Sequence, residues 1–185
     1  MKQTILLLLL STQLFAQCPI TGDGKTKKDW VSDSLKNRNI TSDISKSYDI
    51  STFFFYGDDT QKFSQDSYVK VRGYITEVKW GGKEQCNCHS SVRSEKDIHI
   101  VFSDSLGKNK MICEVNRYTR ATNQELTIEY VKNLIGVPVV IEGWLFADIE
   151  HKHNATNTCV KCTQIWRTTL WEIHPVMNIW PYNGE

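Results

Sequence analysis

The chain has 185 residues, with 22 Lys plus Arg against 21 Asp plus Glu and a hydrophobic content of 40 %. That length suits one domain with an extension and can bury a real core; a mean hydropathy of −0.39 excludes a membrane bundle, and the composition excludes a disordered chain. A formal charge of +1 lacks the basic excess of a protein that neutralises many phosphates, which argues against general nucleic-acid binding.

Lys2, the apolar run from Ile5 to Leu10 and the small residue Ala16 are the parts of a secretory signal, with cleavage expected after Ala16. The run is too short to span a bilayer, which takes about 20 apolar residues. Cys18 raises lipoprotein anchoring, but Gln17 precedes it where a small residue is needed. The expectation is an exported, unanchored protein, periplasmic or extracellular, with no transmembrane segment. Its six cysteines (Cys18, Cys86, Cys88, Cys113, Cys159 and Cys162) then face an oxidising compartment.

Residues 17–66 are polar and weakly patterned, with a short helix expected over Asp29–Asn37. The patch Phe53-Phe54-Phe55-Tyr56 precedes a turn at Gly57-Asp58-Asp59. This stretch reads as an irregular extension that lays its aromatics on the main domain of residues 67–185. From Tyr68 the pattern sharpens: Val69, Val71, Gly73 and Ile75 alternate with polar residues, and mid-strand Gly73 marks a bend or bulge. A long loop, 80–96, leads to a second strand over Asp97–Ser103. A hairpin turn at 105–109 leads to a third over Lys110–Val115. One helix follows, capped by Thr122 with Glu125 three residues on, and ended by Gly136 and Pro138. The fourth strand is Val137–Asp148, the loop 149–165 comes next, and the fifth strand runs from Trp166 to about His174.

Three strands, a helix and two more strands, with long loops after the first and fourth, predict a mainly β, OB-like five-stranded Greek-key barrel with one helix between strands three and four. Side-chain parity then carries the functional reading. With Ile98, Ile100 and Phe102 pointing in, Asp97 and His99 point out; Glu114 on strand three, and Glu172 and His174 on strand five, share that outer face. Carboxylates mixed with imidazoles suit a divalent ion or acid–base work. The competing reading is that outward positions on a half-buried sheet are simply polar. His89 and His151 add imidazoles from the two long loops.

The cysteine clusters allow two readings. Cys86, Cys88, Cys159 and Cys162 could hold zinc through paired thiolates. The exported context favours disulfides, which leaves the metal reading second. Cys86 and Cys88 are too close to bond each other without strain, so cross-pairing of the two loops is one arrangement, with Cys18 and Cys113 as a third pair or free. Trp80, Trp144, Trp166, Trp171 and Trp180 could stack bases or sugars, though core and rim packing is the commoner use of Trp.

Leu35-Lys36-Asn37-Arg38, Gly73-Tyr74, Val78-Lys79 with Gly81-Gly82, Cys86-Asn87-Cys88-His89, Asp97-Ile98-His99-Ile100, Gly143-Trp144-Leu145 with Asp148 and Glu150-His151, and Trp171-Glu172-Ile173-His174-Pro175 together resemble an uncharacterised family of exported bacterial proteins. The resemblance covers most of the mature chain. It implies membership and export, and no activity. The family pattern includes Cys86 and Cys88 but not Cys18, Cys113, Cys159 or Cys162.

The leading expectation is an exported ligand-binding module, its ligand unidentified, whose face is built from His89, Asp97, His99, Glu114, His151, Glu172 and His174. A metal-dependent hydrolase of phosphodiesterase or nuclease type on the same face, with an ion such as zinc, is the first alternative. A structural or envelope interaction protein is the second.

Overall fold

The computed structural model describes residues 17–184 other than Tyr56; the expected signal at 1–16 lies outside the described residues. Helix α1 (Lys27–Asn37) starts two residues before its expected position, because Thr26 and Asp29 form a reciprocal capping box. A short strand β1 (Lys46–Asp49) follows, then the five strands of the barrel: β2 (Tyr68–Trp80), β3 (Ile98–Ser103), β4 (Lys110–Val115), β5 (Pro138–Ala147) and β6 (Trp171–Pro181).

The sheet runs β1-β2-β3-β4-β6-β5, and β5 pairs back onto β2 to close the barrel. All pairings around the ring are antiparallel except β4–β6, which is parallel at Ile112–Glu172 and Cys113–Ile173. This is the expected OB-like architecture. Alternation produces it. Val69, Val71 and Ile75, then Ile98, Ile100 and Phe102, Met111, Cys113 and Val115, Val139, Ile141 and Leu145, and Ile173 and Val176 all enter one buried cluster. The bend expected at Gly73 is a close approach: a Cβ there would stand 2.8 Å from the Phe102 ring, and the β2–β3 register shifts two residues later, between Ile75 and Glu77.

Three expectations are corrected. The single helix is two, α2 (Arg117–Thr122) capped by Asn116 and α3 (Ile128–Asn133) capped by Thr127. Thr122 therefore ends a helix where it was expected to begin one. The fifth strand starts at Trp171, and residues 166–170 make only one isolated bridge, Ala155–Arg167. Its end is Pro181 and not His174, since Pro175 falls at a register shift between the Gly143–Val176 and Leu145–Ile173 pairs, where no ladder N–H is needed. The extension is also less irregular than expected: β1 pairs parallel to β2, and Ile50 and Phe53 join the core.

Two disulfides form, Cys18–Cys88 and Cys159–Cys162. The first ties the start of the extension to the loop after β2; the second closes a turn within the loop after β5. The two loops are not cross-linked to each other. Cys86 and Cys113 are buried free thiols, so three of the four sulfurs considered for zinc are covalently used. No helix among the described residues is long and apolar enough to cross a membrane.

Candidate functional site

The register sets the site. His99 stands opposite Glu114 on β3–β4, and Glu172 lies beside Ile112 on β4–β6. Because their strand neighbours fill the barrel, His99, Glu114, Glu172 and His174 turn outward on three adjacent strands, and Asp97 joins them from the residue before β3. The His174 Nε2 atom is 3.3 Å from Asp97 Oδ2, while its Nδ1 is 3.6 Å from Glu114 Oε2 and 3.7 Å from Glu172 Oε2. His99 Nε2 is 3.9 Å from Glu114 Oε1.

This outer face is covered. Asp97, Glu114, Glu172 and His174 are all buried, His174 completely. A strand pattern separates two faces but does not reveal a second layer, and here α1 and the Gln85–Asn87 turn supply one. Asn37 at the end of α1 donates to the carbonyls of Cys86 (2.8 Å) and Ile20 (3.0 Å). Asn116, the α2 cap, donates to the Lys36 carbonyl at 2.7 Å. Lys36 places its ammonium 3.1 Å from Glu84 and over the Phe146 ring.

Arg167, on the segment before β6, closes the other side. Its guanidinium is fully buried and forks between Glu172 (2.6 Å) and Asp148 (3.0 Å). Asp148 in turn meets His151 Nδ1 at 2.7 Å. His151 thus joins the network through Asp148 and Arg167, and its ring and that of His99 both flank Trp166. His89 does not join. It sits on the exposed left-handed turn after Cys88 and faces Asp23 at 3.6 Å.

Electrostatics follow from burial. Burial pushes the Glu114 carboxyl well above its ordinary range, with Glu84 adding to the effect, and burial beside Asp148 raises Glu172. Burial alone would depress His174, but the Asp97, Glu172 and Glu114 carboxylates gathered around it outweigh that and lift the imidazole to about 10. His99, half-buried with Lys79 nearby, falls to about 4, its partial burial being the larger cause. Burial raises Asp148, yet the His151 hydrogen bond and Arg167 overcome it and hold this carboxyl well below the usual range. Burial lifts the Cys86 thiol, which is poised 3.6 Å from Glu84.

Sequence reasoning missed Lys36, Glu84, Asp148 and Arg167 as members of the network. Lys36 and Asp148 stood inside the short motifs quoted above; Arg167 and Glu84 carried no signal. Beside the network, a cleft of about 400 Å³ opens between α1 and residues 146–150. Val31, Leu35, Phe146 and Ile149 make its apolar walls, and Lys36 and Asp148 connect it to the buried charges. No family model, curated protein or solved structure matches the chain.

Proposed function

We propose that this is an exported ligand-binding module whose ligand face is the outer surface of β3, β4 and β6, reached through the cleft beneath α1. One observation supports this most: Lys36 and Asp148, both members of the buried charge network, line an apolar-walled cleft. Burying that many charges costs stability that a hydrophobic face would not, so a binding role accounts for the expense. Lys36 donates one hydrogen bond, to Glu84, and keeps donors in reserve. The ligand is a small amphipathic molecule, with its apolar body against Phe146 and Ile149 and an acceptor group directed at Lys36. The signal segment, the two disulfides and the resemblance to an exported bacterial family support export.

The test is an NMR titration of the purified protein with a set of small amphipathic carboxylates. Binding should move the amide resonances of Leu35, Lys36, Phe146 and Asp148, and Lys36→Met should weaken it about tenfold, the loss of one charged hydrogen bond. Ligands that bind elsewhere, or equally well without the Lys36 ammonium, would remove the reading. The carboxylate–imidazole chemistry of the face favours a metal-dependent hydrolase as the second reading; turnover of a phosphodiester chromogen that is lost in Glu114→Gln would establish it over simple binding.

A further inference from the structure

Among the described residues, two sets of His, Cys, Asp or Glu place donor atoms close enough to share an ion: His153 with Cys159 and Cys162, and Asp97 with Glu114 and His174. The first set is spent, since its two sulfurs are bonded to each other. The second is entirely buried, and one donor atom from each residue lies within 4.8 Å of the other two.

These atoms are also unpartnered. Asp97 Oδ2, Glu114 Oε2 and both ring nitrogens of His174 make no hydrogen bond. Buried polar atoms are ordinarily satisfied, because each orphan costs on the order of 1–3 kcal/mol. Four orphans on three touching residues at the centre of a packed layer call for a shared partner. An imidazolium locked between carboxylates would draw them in to about 2.7–2.9 Å, whereas the three contacts here are 3.3, 3.6 and 3.7 Å. The Asp97–His174 separation of 3.3 Å matches the ligand–ligand edge of a tetrahedron whose metal–ligand bonds are about 2.0–2.1 Å.

We propose that Asp97, Glu114 and His174 bind one divalent transition-metal ion of the zinc type. His174 ligates through Nε2, which faces Asp97 at 3.3 Å; its Nδ1–H lies between Glu114 (3.6 Å) and Glu172 (3.7 Å), so Glu114 ligates by turning its carboxylate past the ring edge while Glu172 stays as the orienting carboxylate that fixes a ligand ring. Arg167, forked onto Glu172 and Asp148, holds that orienting carboxylate in place. Two carboxylates and one imidazole leave a fourth position open for water or for an acceptor group of a ligand.

This inference rests on the β3–β4–β6 face being the binding face, and it deepens that reading by naming the resident ion. It is tested by calorimetric titration of the full-length mature protein, metal-stripped, with zinc alone. Wild type should take up one equivalent; His174→Gln and Asp97→Asn should each weaken binding roughly a hundredfold, and Glu172→Gln, as a positioning residue, roughly tenfold. Circular dichroism checks that each variant folds. A wild-type measurement keeps the test independent of the variants: nitrogen NMR of the imidazoles should show His174 Nε2 shifting on zinc addition while Nδ1 keeps its proton. Absence of a saturable equivalent, or an equivalent that leaves His174 unmoved, overturns the metal site. Cleft titrations with carboxylates report separately, so the failure of one reading is distinguishable from the failure of the other.

Discussion

Asp33 illustrates how a single buried side chain can be invisible to patterning and still set a property of the fold. It lies on the inner side of α1, is almost wholly buried, and leaves its Oδ2 atom without a hydrogen-bond partner. Burial raises its carboxyl to about 6, with Lys36 opposing the rise only in part. The folded state therefore holds a proton between about pH 4, the unfolded value, and about pH 6, where the unfolded chain has released it. Stability falls as pH rises through that window. Asp33→Asn should abolish this component, so the difference in thermal midpoint between variant and wild type should widen in the variant's favour by roughly 5–10 °C from pH 4 to pH 8. A constant difference across a pH series would show that Asp33 is solvated. At this scale the sequence was informative where neighbours in register share a face, as for His99, Glu114, Glu172 and His174. It was silent where the partner is distant: Lys36 meets Glu84 from 48 positions away, and Asn37 reaches Cys86 from 49.

At the scale of elements, legibility tracks apolar alternation. The five barrel strands carry it, and each was readable as a strand, although the last lies five to seven residues further along than its pattern suggested. Strand β1, Lys-Ser-Tyr-Asp, is short and polar and exists because it pairs with β2. The helical region misled for a different reason: Thr122 and Glu125 satisfy a capping spacing, but Asn116 and Thr127 accept the actual cap hydrogen bonds. Helix α1 has little apolar attachment. Its two buried residues, Asp33 and Asn37, are polar, and the segment before it is fastened by the Cys18–Cys88 disulfide across 70 positions. A helix held by polar contacts and a tether opens locally at low free energy. Replacing both Cys18 and Cys88 with Ser should speed amide hydrogen exchange in α1 by about tenfold or more, with β3 and β4 unchanged. Equal acceleration in the barrel would mean that the disulfide supports the whole fold and not the cover over the site.

Closure of the barrel depends on how β5 crosses from β2 to β6, and the whole molecule turns on that passage. Gly143 pairs with Val69 on one side and with Val176 on the other, and the β5–β6 register shifts on both sides of it. A Cβ at this position would lie 2.7 Å from Ile173 Cγ2 and would run into the backbone carbonyl of Pro175. Backbone cannot move aside as a flexible side chain does, so the strain passes directly into β6, the strand that carries Glu172 and His174. Gly143→Ala should destabilise the fold by about 1–3 kcal/mol, the range for overpacking a tight core, read from the urea midpoint at constant slope. Gly82→Ala, where an added Cβ meets nothing within 4 Å, is the matched control and should be near neutral. Because β6 presents the site, Gly143→Ala should also change the imidazole resonances of His174 while those of exposed His89 stay fixed. Equal tolerance at positions 143 and 82 would mean that β5 and β6 pack more loosely than their register indicates, and that the site is not positioned by barrel closure.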